Sequence, residues 1–295
     1  MKTSIGTAVV IALLATATCR AEDSFDSNGT KICYTVAGTG EPVVLVHGFI
    51  GSSEEWMSPP PFLPPNQKEK FQTIFEALSR QYMVIALDCR GHGKSGKPKV
   101  DNQYGLEMVE DIVRLLDHLE LEQAHVVGYS MGAFLSAKLV AAHADRVKSV
   151  VLGGGGALLE GSEQLAFMVS LGESLASGKG VEPLILAMTP PGQPEPTPEQ
   201  IEAYNKMFLA NQDEQALAKA ALGHKQLTVS KELLKSNEVP ALLIVGGNDP
   251  LKAASEETTK LLSNSRLIVL DGQDHVSTEL SPDFLKNIRR FLEEN

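Results

Sequence analysis

The chain has 295 residues, 43% hydrophobic and 21% charged, a composition that demands a buried core and excludes intrinsic disorder, collagen and coiled coil. That length suits one large α/β domain or two small ones. A formal charge of -11, from 26 Lys and Arg against 37 Asp and Glu, repels phosphate backbones and anionic lipid, so no nucleic-acid partner is expected; three cysteines are too few for a disulfide framework.

Residues 1–21 read as a secretory signal, with Lys2 at the start, an apolar stretch over 5–17 and small residues after it. The apolar stretch is shorter than the roughly 20 residues of a bilayer span, so a retained anchor is the weaker reading and no membrane span is expected after processing. Cleavage is expected after Ala17 or Ala21; removal of residues 1–21 would leave 24 basic and 37 acidic residues, a charge of -13, and a periplasmic or extracellular protein. Cys33 and Cys89 would then be the only cysteines, and an oxidising compartment would permit a bridge between them.

From residue 30 to 155, short apolar runs alternate with amphipathic helices, the grammar of a mostly parallel sheet. Residues 31–36 alternate in polarity and suit an edge strand. The runs at 43–46, 84–87, 124–127 and 147–152 are continuously apolar, as strands covered on both faces must be. The proline-rich stretch 52–70 predicts a polyproline II segment, either a stiff surface loop or a wall of a substrate pocket. Residues 157–238 carry helical patterns at 164–175, 198–210 and 213–222 and no convincing strand, so they form a helical insertion. Strand and helix alternate again after 240, with strands at 241–245 and 266–270 and helices at 253–262 and 282–292. The organisation predicted is a signal at 1–21, an α/β core from 22–156 and 239–295, and a helical cap at 157–238.

Gly128-Tyr129-Ser130-Met131-Gly132 follows the strand at 124–127 and precedes a helical pattern. A sharp turn there would strain Ser130 and expose its hydroxyl above the sheet, with Gly128 and Gly132 removing side chains that would clash. A serine hydroxyl needs a base, and the base needs an acid to orient it. His275 follows the strand at 266–270 on a loop, and Asp249 follows the strand at 241–245, giving the order Ser, Asp, His. Glu160 is a second candidate acid, whereas Asp274 is poorly aimed at its neighbour's ring. His118, His143 and His224 read as solvated, and His125 as structural in a buried strand. Acyl transfer creates an oxyanion, and the backbone N–H groups of Phe49 and Met131 are the candidate donors. His47 and Gly48, after the strand at 43–46, read as structural, with His47 fixing the loop by hydrogen bonds.

His47-Gly48-Phe49, the segment from Asp88 to Ser95, the Gly128 to Gly132 pentapeptide, Asp249 and His275 together resemble the α/β-hydrolase superfamily, in its branch of capped serine hydrolases. The resemblance spans essentially the whole chain beyond residue 21. It implies an eight-stranded, mostly parallel sheet flanked by helices, a cap over the active site, and hydrolysis through a covalent intermediate with no metal and no cofactor. In that family the Asp88 to Ser95 segment is a structural loop. Dehalogenases and epoxide hydrolases of the superfamily carry aspartate where this chain has Ser130, and their caps supply halide-binding or paired tyrosine groups, against the single Tyr204 here. Carbon–carbon bond hydrolases usually have Asn at the position of Tyr129, and proline iminopeptidases have an HGGPG loop that Phe49-Ile50 breaks. Cleavage of an ester or lactone of a small apolar molecule remains. The cap's Phe167, Met168, Leu171, Leu184, Met188, Met207, Phe208 and Leu209 suggest a hydrophobic acyl site, although most of them are expected to pack the cap on the core. A carbon–carbon hydrolase or perhydrolase with the same triad, and a non-catalytic binding protein of this fold, are the alternatives. Sequence leaves the oligomeric state open.

Overall fold

A computed structural model describes residues 21–189 and 192–295. One sheet of eight strands organises it: β1 (Ala21–Ser27), β2 (Thr30–Ala37), β3 (Pro42–Val46), β4 (Met83–Leu87), β5 (Ala124–Tyr129), β6 (Val147–Gly153), β7 (Ala241–Gly246) and β8 (Ser265–Leu270). They lie in the order β1-β2-β4-β3-β5-β6-β7-β8. β2 runs antiparallel to β1 and β4, and every pairing from β4 to β8 is parallel. Successive side chains of a strand face opposite sides. Val44, Val46, Val126, Val150, Leu152 and Leu243 therefore enter one apolar cluster, and Val43, Leu45, Val127, Val151, Leu242 and Ile244 the other.

The helices that cover these faces follow from their sequence periods. In Pro282–Glu294, Phe284, Ile288, Phe291 and Leu292 share one buried face on the second cluster. Each such side chain contributes about 1.5–3 kcal/mol by leaving water. Met131–Ala142 is apolar on almost every side, because it lies beneath the insertion as well as on the sheet.

Between β6 and β7, among the described residues, come the helices Glu163–Ala176, Glu182–Ala187, Pro198–Leu209, Glu214–Gly223 and Lys231–Lys235 and no strand. Glu163–Ala176 packs against Glu214–Gly223. The Val229 N–H donates to Leu158 O at 2.8 Å and ties the exit of the insertion to its entry.

Several expectations are corrected. The strand β1, AEDSFDS, is not among those expected. Its pairing with β2 extends the sheet at an edge where only part of its side chains need burial. The signal assigned to 1–21 lies outside the described residues except for Ala21, which opens β1. Cys33 and Cys89 are both free. Cys33 points away from the face that Ile32, Tyr34 and Cys89 share, so no bridge forms. The proline-rich stretch is not polyproline II throughout. Glu54–Met57 and Pro65–Lys68 are helical turns, and Leu63 N–H closes a turn on Pro60 O. His224 is not solvated; it is fully buried in the turn His224–Gln226.

Candidate active site

β3, β5, β7 and β8 are parallel, so the loops after them emerge along one edge of the sheet. That edge carries His47, Ser130, Asp249 and His275. Ser130 lies between β5 and Met131–Ala142 with φ 52° and ψ -113°, a conformation that side chains disfavour. The turn is tight enough that a Cβ on Gly128 would overlap the Gly132 carbonyl, and one on Gly132 would overlap the Val46 carbonyl. The Ser130 N–H is held by Gly153 O at 2.9 Å.

His275 opens the short helix His275–Leu280 rather than sitting on a loop, and Asp274 caps that helix by accepting from the N–H groups of Val276 and Ser277. Asp274 is thereby committed to the backbone. The His275 Nδ1–H donates to Asp249 Oδ2 at 2.8 Å, and Asp249 Oδ1 accepts from the Leu251 N–H at 2.8 Å. Both side chains are buried. Glu160 is exposed, so the second candidate acid drops out. The Tyr129 hydroxyl donates to the His275 carbonyl, and its ring lies 5.3 Å from the imidazole. Burial pushes the Tyr129 hydroxyl well above the usual phenol range, so it stays a donor. The sequence gives no sign of this contact. No hydrogen bond joins Ser130 Oγ to His275 among the described residues.

His47 is fully buried, with Nδ1 2.8 Å from Gly48 O and Nε2 accepting from the Cys89 N–H at 3.0 Å. Both nitrogens are occupied, which makes it a loop clamp. The segment from Asp88 to Ser95 is likewise structural. Asp88 accepts from the N–H groups of Ser53 and Lys94, and the buried Arg90 forms a two-pronged pair with Asp111, at 3.0 and 2.6 Å. His125 is buried against Ser149 Oγ at 2.7 Å, His143 meets Glu110 and His118 meets Tyr34.

Two cavities meet at Ser130 and share Phe49, Leu184 and Met188. One runs under the insertion between Phe134, Phe167, Met168 and Leu171. The other leads past His275, Glu55 and Glu279 toward Ile185 and Phe208. Of the apolar cap residues singled out from sequence, five line the first cavity and Phe208 the second. Met207 is instead 60% exposed, and Leu209 packs on the core. Glu55 and Glu279 are the site residues that sequence reasoning missed.

The model of the alpha/beta hydrolase fold family matches residues 41–282. The chain belongs to the α/β-hydrolase family. It is 35% identical over 122 residues to a probable lysophospholipase, BODYGUARD 4, of Arabidopsis thaliana, a match covering 40% of this chain and 26% of that protein. The chain thus spans about a quarter of the length of that relative. It is 28% identical over 276 residues to a non-heme haloperoxidase of Rhodococcus erythropolis, covering 87% of this chain and 93% of that one. Among solved structures, the enol-lactonase from Burkholderia xenovorans LB400 superposes with a TM-score of 0.69 at 22% identity, over 92% of this chain and 100% of the other, which establishes the shared fold.

Proposed function

We propose that this α/β hydrolase is an exported serine esterase or lactonase that acts on a small, largely apolar substrate. Ser130 Oγ attacks the carbonyl carbon and passes its proton to His275 Nε2. Asp249 holds the imidazolium, and the Phe49 and Met131 amides receive the oxyanion. Collapse expels the alcohol with a proton from His275, and water, deprotonated by the same ring, releases the acid. The observation that carries this reading is the 2.8 Å Asp249–His275 bond beside a strained serine at the junction of two cavities. That junction suits an ester, with the acyl chain under Phe167 and Leu171 and the alcohol beside His275. The lysophospholipase relative, itself named for an ester-cleaving activity, adds support.

A panel of esters of graded acyl length, with lactones and amides beside them, tests the reading. Ser130→Ala should lower turnover by several orders of magnitude. Retention of most activity in that variant rules the mechanism out. The haloperoxidase relative favours one second reading, perhydrolysis by the same triad, in which peroxide replaces water as the acyl acceptor. Measuring peracid formation in the same panel separates the two. Export is tested by sequencing the N-terminus of the secreted protein, which should begin after Ala17 or Ala21.

A further inference from the structure

The cavity on the alcohol side holds two carboxyl groups that the mechanism does not use. Glu55, on Glu54–Met57, accepts from the Gly48 N–H through Oε1 at 3.1 Å. Its other oxygen nests in the bend of the loop at Gly51, where any Cβ would collide with it. Glu279 lies one turn beyond His275 on His275–Leu280 and lines the same cavity as Glu55, with the two carboxyl groups facing each other. The Glu279 Oε1 is sealed from solvent and has no donor among the described residues. Two carboxyl oxygens in contact repel unless a proton lies between them.

We propose that Glu55 and Glu279 share one proton, and that this shared proton is a positioning device that locks the Gly48–Phe49 amide loop to the helix carrying His275. The proposal rests on the reading of Phe49 as an oxyanion donor and deepens it. Removing the proton leaves two carboxylates and a water; their repulsion then drives the loop and the helix apart. Burial, with the Glu55 charge behind it, holds the Glu279 carboxyl well above the usual carboxylate range. Among the described residues, the other titratable groups around the pair include Tyr129 from β5, the buried Cys89 after β4, and His275 with Asp249 behind it. Among the described residues, the insertion contributes only Leu184, Ile185, Met188 and Phe208 to this cavity. The Tyr129 hydroxyl is itself pushed up by burial, so it stays neutral where the pair would ionise.

Infrared spectra of the whole chain and of Glu279→Gln at neutral pH read the proton directly and need no turnover. The wild-type protein should show a protonated carboxyl band that is absent in the variant and fades as pH rises. The ratio of kcat at alkaline pH to kcat at neutral pH is the second readout. In the wild type it should fall over the range in which the band fades. In Glu279→Gln it should stay near one, because the amide donates to Glu55 at every pH. If that variant fails to fold, Glu55→Gln supplies the donor from the other side and carries the same expectation. A wild-type spectrum without the band, or identical alkaline limbs in wild type and variant, overturns the proposal. The band should also persist in Ser130→Ala, so failure of the esterase reading is distinguishable from failure of this one.

Discussion

Asp249 Oδ2 accepts the Nδ1 proton of His275 at 2.8 Å, a bond that joins the loop after β7 to the first residue of a helix after β8. It selects the tautomer whose Nε2 is free to take a proton. Asp249→Asn keeps the size of the side chain and allows the other tautomer. Its kcat should fall by about 10⁴, as the same change does in another triad, while its thermal unfolding stays near wild type. Stopped assays with an activated ester measure the first quantity and calorimetry the second.

Under the proposed mechanism the cavity beneath the insertion would set acyl length. Phe167 lies half-buried on Glu163–Ala176 and lines that cavity without forming the core itself. Phe167→Ala should move the preferred acyl chain to longer homologues, with each added methylene that is buried contributing up to about 0.8 kcal/mol to kcat/KM. Profiles of kcat/KM against chain length for the two proteins check this.

The Arg90–Asp111 pair should be a stability element with no direct part in turnover. Arg90 is 0% exposed, and Asp111→Ala leaves Glu107, at 3.7 Å, as its nearest counter-charge. Loss of one partner of a buried pair costs about 3–5 kcal/mol, and Glu107 places this case at the lower end. Urea unfolding gives the value directly.

Acid should unfold the protein through His224 and His92. Burial lowers the first to about 4 and the second to about 3, and the Nε2 of each is buried without a partner among the described residues. An unfolded histidine titrates near 6.5, so below that pH the unfolded chain binds protons that the folded chain refuses. The stability is complete above about pH 6.5 and is lost as pH falls toward 4, at up to about 1.4 kcal/mol per pH unit for each ring. His224→Gln should flatten the dependence of unfolding free energy on pH across that window.

The parts legible from sequence share a local signal. Gly128 and Gly132 bracket Ser130 because two carbonyls crowd the turn, and buried strands such as β5 and β7 read as apolar runs because both faces are covered. What stayed hidden depends on partners distant in the chain. β1 buries too little to announce itself, since its neighbour β2 supplies the edge it pairs with. His224 sits in a polar sequence, yet Phe134 and the surrounding helices enclose it. Glu55 and Glu279 look like ordinary helix-surface acids until the loop at Gly48 and the helix at His275 bring them together.

In the proposed mechanism Ser130 is the nucleophile. A fluorophosphonate probe, followed by peptide mass mapping of the folded protein, tests it most directly. Stoichiometric modification of Ser130, abolished in Ser130→Ala and strongly slowed in His275→Ala, is the result this mechanism predicts. A folded wild-type protein that takes up no probe, or takes it up at another residue, contradicts it.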